Sequence, residues 1–241
     1  MLRTLWAAFI AILVTIPAAS GVIIVAVFSS SARAIDSIIR WWARSIVRAA
    51  GIELGGERLD TLDPAKRYIL VANHYSYFDI PCILAAVPQP IRFMAKVSLF
   101  KIPLFGWSLA RAGFIPIDRK NRRTAVKSFD QAGERIRRGN TIVIFPEEGR
   151  THERTLRPFQ RGAFLLAIRS GLEIVPMAVD GTFDVFPVGA RAVKPGRVTI
   201  RAGTPIATEN ISVREKEKLA GEARAQIVSM LTGYEEPPSP S

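Results

Sequence analysis

YILVANHYSYFD (68–79) passes from five apolar residues, YILVA (68–72), straight into Asn73 and His74, with Asp79 five positions past the histidine. An unbroken apolar run of that length reads as a strand buried on both faces, as in a parallel sheet with helices over both sides. Similar runs recur at IRFMAK (91–96), GFIPID (113–118), TIVIFPE (141–147), EIVPMAVDG (173–181) and RVTIRAG (197–203). Helical patterns separate several of them. TAVKSFDQAGERIRR (124–138) places Ala125, Phe129, Ala132 and Ile136 on one face, and GAFLLAIRSG (162–171) reads as a short buried helix stopped by Gly171. SVREKEKLAGEARAQIVSMLTG (212–233) opens on Ser212 with Glu215 three residues on, a capping box. The alternation predicts an α/β domain over 51–233, with a mostly parallel or mixed sheet flanked by helices. The tail, 234–241, ends EEPPSPS and is expected to be disordered.

A chain of 241 residues can bury one sizeable core. Its formal net charge of +12 implies an anionic partner: nucleic acid, anionic lipid or a phosphorylated substrate. A single cysteine, Cys82, excludes an internal disulfide framework and a thiolate metal cluster.

The N-terminal segment chooses among the anionic partners. Between Arg3 and Arg33 no residue is charged, and Thr4–Ala32 exceeds the ~20 residues a helix needs to cross a bilayer core. Residues 1–50 are therefore expected to anchor the chain in a membrane. Pro17, followed by AASG (18–21), leaves two geometries: one kinked spanning helix, or two short helices that enter and return. The run is too long for a usual cleaved signal core, although ARA (32–34) resembles a processing site. In RAIDSIIRWWARSIVR (33–48), Ile35, Ile38, Ile39, Trp42 and Ile46 share one helical face. Asp36, Arg40, Arg44 and Arg48 share another, and a basic amphipathic helix with paired tryptophans suits a membrane surface. The arginine excess after the apolar run predicts a cytoplasmic C-terminal side.

Four short blocks carry chemistry. His74 follows a strand, where α/β sheets place ligand sites, and Asp79 lies within reach to fix the imidazole tautomer, leaving the other nitrogen to accept a proton. GFIPIDR (113–119) leads into KNRR (120–123), so Arg119, Lys120, Arg122 and Arg123 crowd a strand–helix junction suited to phosphate. TIVIFPEEGR (141–150) ends a strand on Glu147, Glu148, Gly149 and Arg150. In IVPMAVDG (174–181), Pro176 interrupts an apolar run and points to a sheet edge or a bulge.

NHYSYFD, GFIPIDR, FPEEGR and VPMAV, in this order, resemble the glycerophospholipid acyltransferases, most closely the bacterial 1-acylglycerol-3-phosphate (lysophosphatidate) branch. The resemblance covers about residues 68–181. It implies transfer of a fatty acyl group from acyl-CoA or acyl carrier protein to the free glycerol hydroxyl of 1-acylglycerol-3-phosphate, giving phosphatidic acid. Another lysophospholipid or a lyso-aminolipid is the alternative acceptor. It further implies His74 as base with Asp79 as its partner, and substrate binding by Arg119, Glu147, Gly149, Arg150 and Pro176. It calls for no bound cofactor, no metal and no nucleic acid. Location at the bacterial inner membrane, with the catalytic domain on the cytoplasmic side, is expected; nothing in the residues sets an oligomeric state. One departure stands out. The family's FPEGTR has Gly-Thr where this chain has Glu148-Gly149.

Two other functions compete on residue chemistry alone. A metal-dependent phosphatase or esterase could use His74, Asp79, Asp118, Glu147 and Glu148, but the neighbouring arginines disfavour a cation. A basic, non-catalytic membrane tether would have no use for a histidine–aspartate pair at a strand end.

Overall fold

The structure, a computed structural model, describes residues 1–28, 32–118, 128, 132–134, 136 and 139–236. Strands β1 (Ile52–Glu57), β2 (Ile69–Ala72), β3 (Ile91–Lys96), β4 (Ile115–Ile117), β5 (Thr141–Ile144), β6 (Ile174–Asp180) and β7 (Gly196–Ala202) form one sheet. Its order is β1-β7-β6-β2-β5-β3-β4. Every neighbouring pair is parallel except β6–β7. The sheet is thus mixed and mostly parallel. β2 lies between β5 and β6, so the chain leaves the end of β2 at a point flanked by two other strand ends, the kind of crevice where open α/β sheets hold ligands.

The unbroken apolar strands feed two cores. Leu70, Ala72, Val143 and Val175 point into one, and Ile69, Val71, Ile142, Ile144 and Ile174 into the other. Each of these leucine, isoleucine and valine side chains contributes roughly 1.5–3 kcal/mol by leaving water. The first core is covered by α1 (Leu2–Phe28), α2 (Ala32–Ala49), α3 (Asp79–Ala86) and α4 (Phe105–Ala112). The second is covered by α5 (Gly162–Ser170) and α7 (Lys216–Met230); the short α6 (Thr182–Val185) follows β6. α5 ends on Gly171 at φ 66°, a left-handed position that glycine takes without penalty. The Ser212–Glu215 capping box forms as expected, ahead of α7. Of the helix expected over 124–138, only 128, 132–134 and 136 are among the described residues, and they are helical. Residues 237–241 of the tail lie outside the description.

α1 is one continuous helix with Pro17 inside it, rather than two short helices broken at the proline. By length and composition it can cross a membrane. Its outward side presents Leu5, Trp6, Phe9, Leu13 and Ile16 to the surroundings, and its inward side buries Ala7, Val14, Ala18 and Val22. α2 runs back along it: Trp42 Nε1 donates to Thr15 Oγ1 at 2.9 Å, and Gly21 approaches Ile38. α2 makes extensive contacts within the protein. Its apolar face packs on protein at Ile35, Ala43, Ile46 and Val47, which are buried, while Ile38, Ile39 and Trp42 are half-buried beside a cavity. Two members of its polar face dock as well. Asp36 pairs with the buried Arg92 of β3 at 2.7 Å, and Arg40 donates to the carbonyls of Val87 and Pro88. Arg33, Trp41, Arg44 and Arg48 remain exposed.

Pro176 sits in an interior strand, so the edge reading fails and the bulge reading holds. β6 pairs Met177 with Ala202, whereas Ile174 pairs with Ile206, so the opposing chain carries one extra residue across from Pro176. Ile174 N–H reaches Ile206 on that side, which places the donor-less Pro176 nitrogen against the bulge, where no ladder bond is required.

Candidate active site

Asn73 closes β2. Its side chain replaces a missing rung of the ladder: Nδ2 donates to Val179 O at 2.9 Å and Oδ1 accepts from Val179 N–H at 2.7 Å. This two-way clamp, wholly buried, fixes the strand end from which His74 projects. The next turn bends so that Asp79, first residue of α3, comes back beneath the histidine. Asp79 Oδ2 lies 2.7 Å from His74 Nδ1 and accepts the N–H groups of Tyr75 and Ser76, both at 2.8 Å. An ionised carboxylate only accepts, so Nδ1 carries its proton and Nε2 keeps a free lone pair. Phe145 stacks on the imidazole with centroids 4.0 Å apart. The ring is therefore held by a hydrogen bond on one edge and an aromatic plate on one face.

Glu147 arrives from the end of β5 and is almost completely buried. Oε1 accepts His74 N–H and Oε2 accepts Arg157 N–H, each at 2.8 Å. Burial pushes its carboxyl up to about 7, against the downward pull of those two backbone donors; Asp79 adds to the rise. Both oxygens are thus spoken for within the protein, and Glu147 ties the two strand ends together. Glu148, next in the chain, adopts φ 54°, a left-handed conformation that side chains resist. It stands where the family's pattern has glycine. Gly149 has no such φ, but a Cβ there would lie 2.6 Å from Arg157 Nη1, so its bareness lets the Arg157 side chain pass. Arg150 lays its guanidinium over the Tyr77 ring, 3.7 Å from the centroid. Its Nε is buried with no acceptor among the described residues.

An apolar cavity of about 510 Å³ adjoins these groups. Ala11 and Ala18 of α1, Trp42 of α2, Leu84 of α3, Phe93 of β3 and Leu109 of α4 contribute to its wall. His74, Tyr77 and Arg150 also line it, and Tyr77 is exposed, so the cavity meets solvent beside the imidazole. Glu147, Gly149 and Pro176 do not line it. Arg119, with Lys120, Arg122 and Arg123, lies outside the described residues. The structure therefore brings His74, Asp79, Glu147 and Arg150 together and sets Pro176 apart in the β6–β2 ladder. Sequence reasoning missed Asn73 and Tyr77, which flank the histidine within the same quoted stretch. It also missed Arg157, whose part is played by its backbone N–H. Cys82 is buried in the same helix as Asp79, and burial pushes its thiol up, which removes it as a nucleophile.

A family model described as Acyltransferase matches residues 54–180, more than half of the chain. The chain belongs to the acyltransferase family. Among curated relatives of this acyltransferase-family chain, a 1-acyl-sn-glycerol-3-phosphate acyltransferase of Chlamydomonas reinhardtii is 36% identical over 138 residues, covering 57% of this chain and 41% of that protein. A chloroplastic enzyme of the same description from Arabidopsis thaliana is 30% identical over 193 residues, 79% of this chain and 52% of its own. The Saccharomyces cerevisiae enzyme is 32% identical over 169 residues, 69% and 56%. The chain spans about half the length of the curated relatives it matches. A crystal structure of the 1-acyl-sn-glycerophosphate (LPA) acyltransferase PlsC from Thermotoga maritima has the same fold, with a TM-score of 0.83, 24% identity and coverage of 95% of this chain and 93% of that one.

Proposed function

We propose that this family member transfers a fatty acyl group from acyl-CoA or acyl carrier protein to the free hydroxyl of 1-acylglycerol-3-phosphate, producing phosphatidic acid. The observation that carries the reading is the His74–Asp79 pair facing an apolar cavity with Arg150 beside it. His74 Nε2 takes the hydroxyl proton as that oxygen attacks the thioester carbonyl carbon. The C–S bond breaks, and the thiolate leaves with the proton returned from the imidazolium. Asp79 stabilises the transient imidazolium through Nδ1. Arg150, together with Arg119, grips the acceptor phosphate and so fixes the hydroxyl near the base. Glu147 acts by holding the His74 backbone, Gly149 by leaving room for the Arg157 side chain, and Pro176 from further off, within the β6–β2 ladder. The cavity takes apolar chain, and the reaction runs without metal, resident cofactor or nucleic acid.

Residues 1–50 serve as the membrane anchor and 51–233 as the acyltransferase domain. The site faces the cytoplasmic side of a bacterial inner membrane, where acceptor lipid and thioester meet. Purified protein in detergent, fed labelled acyl thioesters of both kinds and a panel of lysophospholipids, tests this by lipid mass spectrometry. Phosphatidic acid from lysophosphatidate is the expected product, and His74→Ala abolishes it while leaving the circular dichroism unchanged. Turnover in His74→Ala comparable to the parent protein refutes the base.

A further inference from the structure

Between β3 and β4 the chain makes a short excursion that the chemistry above leaves unused. A 3-10 turn, Val97–Lys101, leads through Ile102, Pro103 and Leu104 into α4. Leu104 has φ 61° and ψ −58°, and Phe105 N–H closes onto Pro103 O at 2.7 Å. That is a γ-turn of the rarer, strained hand. Gly106 is packed so tightly that a Cβ would lie 2.2 Å from Phe100 O. These constraints orient α4 with Phe105, Ser108, Leu109 and Ala112 lining the cavity. The outer side then displays Trp107, 64% exposed, and Ile102, 46% exposed. Exposed Lys101 and Arg111 flank them.

Two large apolar side chains held in water by a strained turn cost free energy unless something covers them. Three observations identify the cover as a lipid surface. α4 packs directly against α1, the helix long and apolar enough to cross a membrane. The outer side of α1 itself leaves Leu5, Trp6 and Phe9 exposed, so the apolar surface extends beyond α4. Tryptophan rimmed by lysine and arginine is the side-chain chemistry of the headgroup boundary, where the ring sits amphipathically and the cations meet phosphate.

We propose that the 101–111 segment is a second membrane-contact element, with Trp107 and Ile102 entering the acyl boundary while Lys101 and Arg111 engage anionic headgroups. The inference rests on α1 lying in the bilayer, not on the acyl-transfer reading. It places the outer side of α4 at the lipid boundary, with its inner side lining the cavity.

Full-length protein carrying Trp107→Cys or Ile102→Cys is labelled with an environment-sensitive fluorophore and reconstituted into vesicles of zwitterionic and anionic phosphatidyl lipids. The buried Cys82 is spared by the reagent. Both positions are exposed, so neither substitution opens a cavity. Phe9→Cys on α1 reports the bilayer, and Glu222→Cys, exposed on α7, reports water. Nitroxide-bearing lipids are expected to quench positions 107 and 102 as they quench position 9, with blue-shifted emission, while position 222 keeps its fluorescence. Quenching at 9 without quenching at 107 and 102 overturns the proposal and leaves the α1 anchor standing; absence of quenching at all three overturns both. A blue shift at 107 that nitroxide lipids do not quench means a protein covers the patch, and also overturns it.

Discussion

Replacing Glu147 with glutamine distinguishes a residue that holds the site from one that touches substrate. Its two oxygens each accept a buried backbone N–H. Glutamine keeps one acceptor and turns an NH2 group toward the other donor, a loss of roughly 1–3 kcal/mol. The carboxyl ordinarily titrates at 4.5 and is pushed by burial up to about 7 in the folded chain. Across that window the native state holds a proton that the unfolded chain has released, so unfolding becomes easier as pH rises. Each pH unit removes about 1.4 kcal/mol, or about 3 kcal/mol over the whole window. Stability from this group is thus complete below pH 4.5 and gone above about 7. Glutamine cannot titrate. Urea unfolding in detergent, followed by tryptophan fluorescence, should show the variant less stable than the parent at the acid end. Toward pH 8 the difference should move by about 3 kcal/mol in the variant's favour, closing the gap or reversing it. A gap that stays constant across the range refutes the buried-carboxyl account. In activity assays the variant should lose kcat through the displaced His74 backbone and keep its acceptor KM; a large KM rise with kcat intact would make Glu147 a substrate contact.

Asp79→Asn should leave the helix start intact, its amide oxygen taking the place of Oδ2 where the Tyr75 and Ser76 N–H groups also point, so that Nδ1 keeps its hydrogen bond but the imidazolium loses its counter-charge. A fall in kcat of well over tenfold is expected in steady-state assays, and a loss under about tenfold refutes the charge-stabilising role of Asp79. Tyr77→Leu removes the plate beneath Arg150 and should raise the acceptor KM about two- to fivefold with kcat little changed. Tyr77→Phe, which keeps the ring, should restore it; failure of phenylalanine to do so would point to the hydroxyl instead. Glu148→Gly relieves a left-handed side-chain residue worth about 1–2 kcal/mol, offset by glycine's freedom in the unfolded chain and by whatever the Glu148 side chain itself contributes. Glu148→Ala gives up the same side chain but keeps the strain, so by scanning calorimetry the glycine variant should have the higher Tm of the two, and the reverse order contradicts the strain argument.

The histidine and its carboxylate were legible because they are five positions apart: a strand end and one turn bring them together without help from the rest of the chain. The long apolar runs announced six of the strands for a similar reason, since strands buried on both faces carry their environment in their composition. β1, IELGGE, escaped because only Ile52 of it is buried and two glycines dilute the pattern. Its place in the sheet comes from pairing with β7, more than a hundred residues away. The face of α2 was legible, but its partner was not. An amphipathic stripe states that something apolar covers it, and lipid and protein satisfy that statement equally. Only tertiary packing, which buries Ile35, Ala43, Ile46 and Val47, shows where protein does the covering. The duty of Glu147 was hidden more deeply, because its partners are main-chain N–H groups, which every residue but proline has.

The hairpin of α1 and α2 helps enclose the cavity and roofs one side of the sheet. Trimming the chain at residue 50 would therefore not liberate a tidy water-soluble enzyme. It would strip the roof from Leu70, Val143 and Phe93, tear open the pocket and orphan Arg92, leaving a sticky remnant with its chemistry drowned. The same two helices thus wall the pocket and close the sheet, so a change that parts α1 and α2 from the strands opens the site as well.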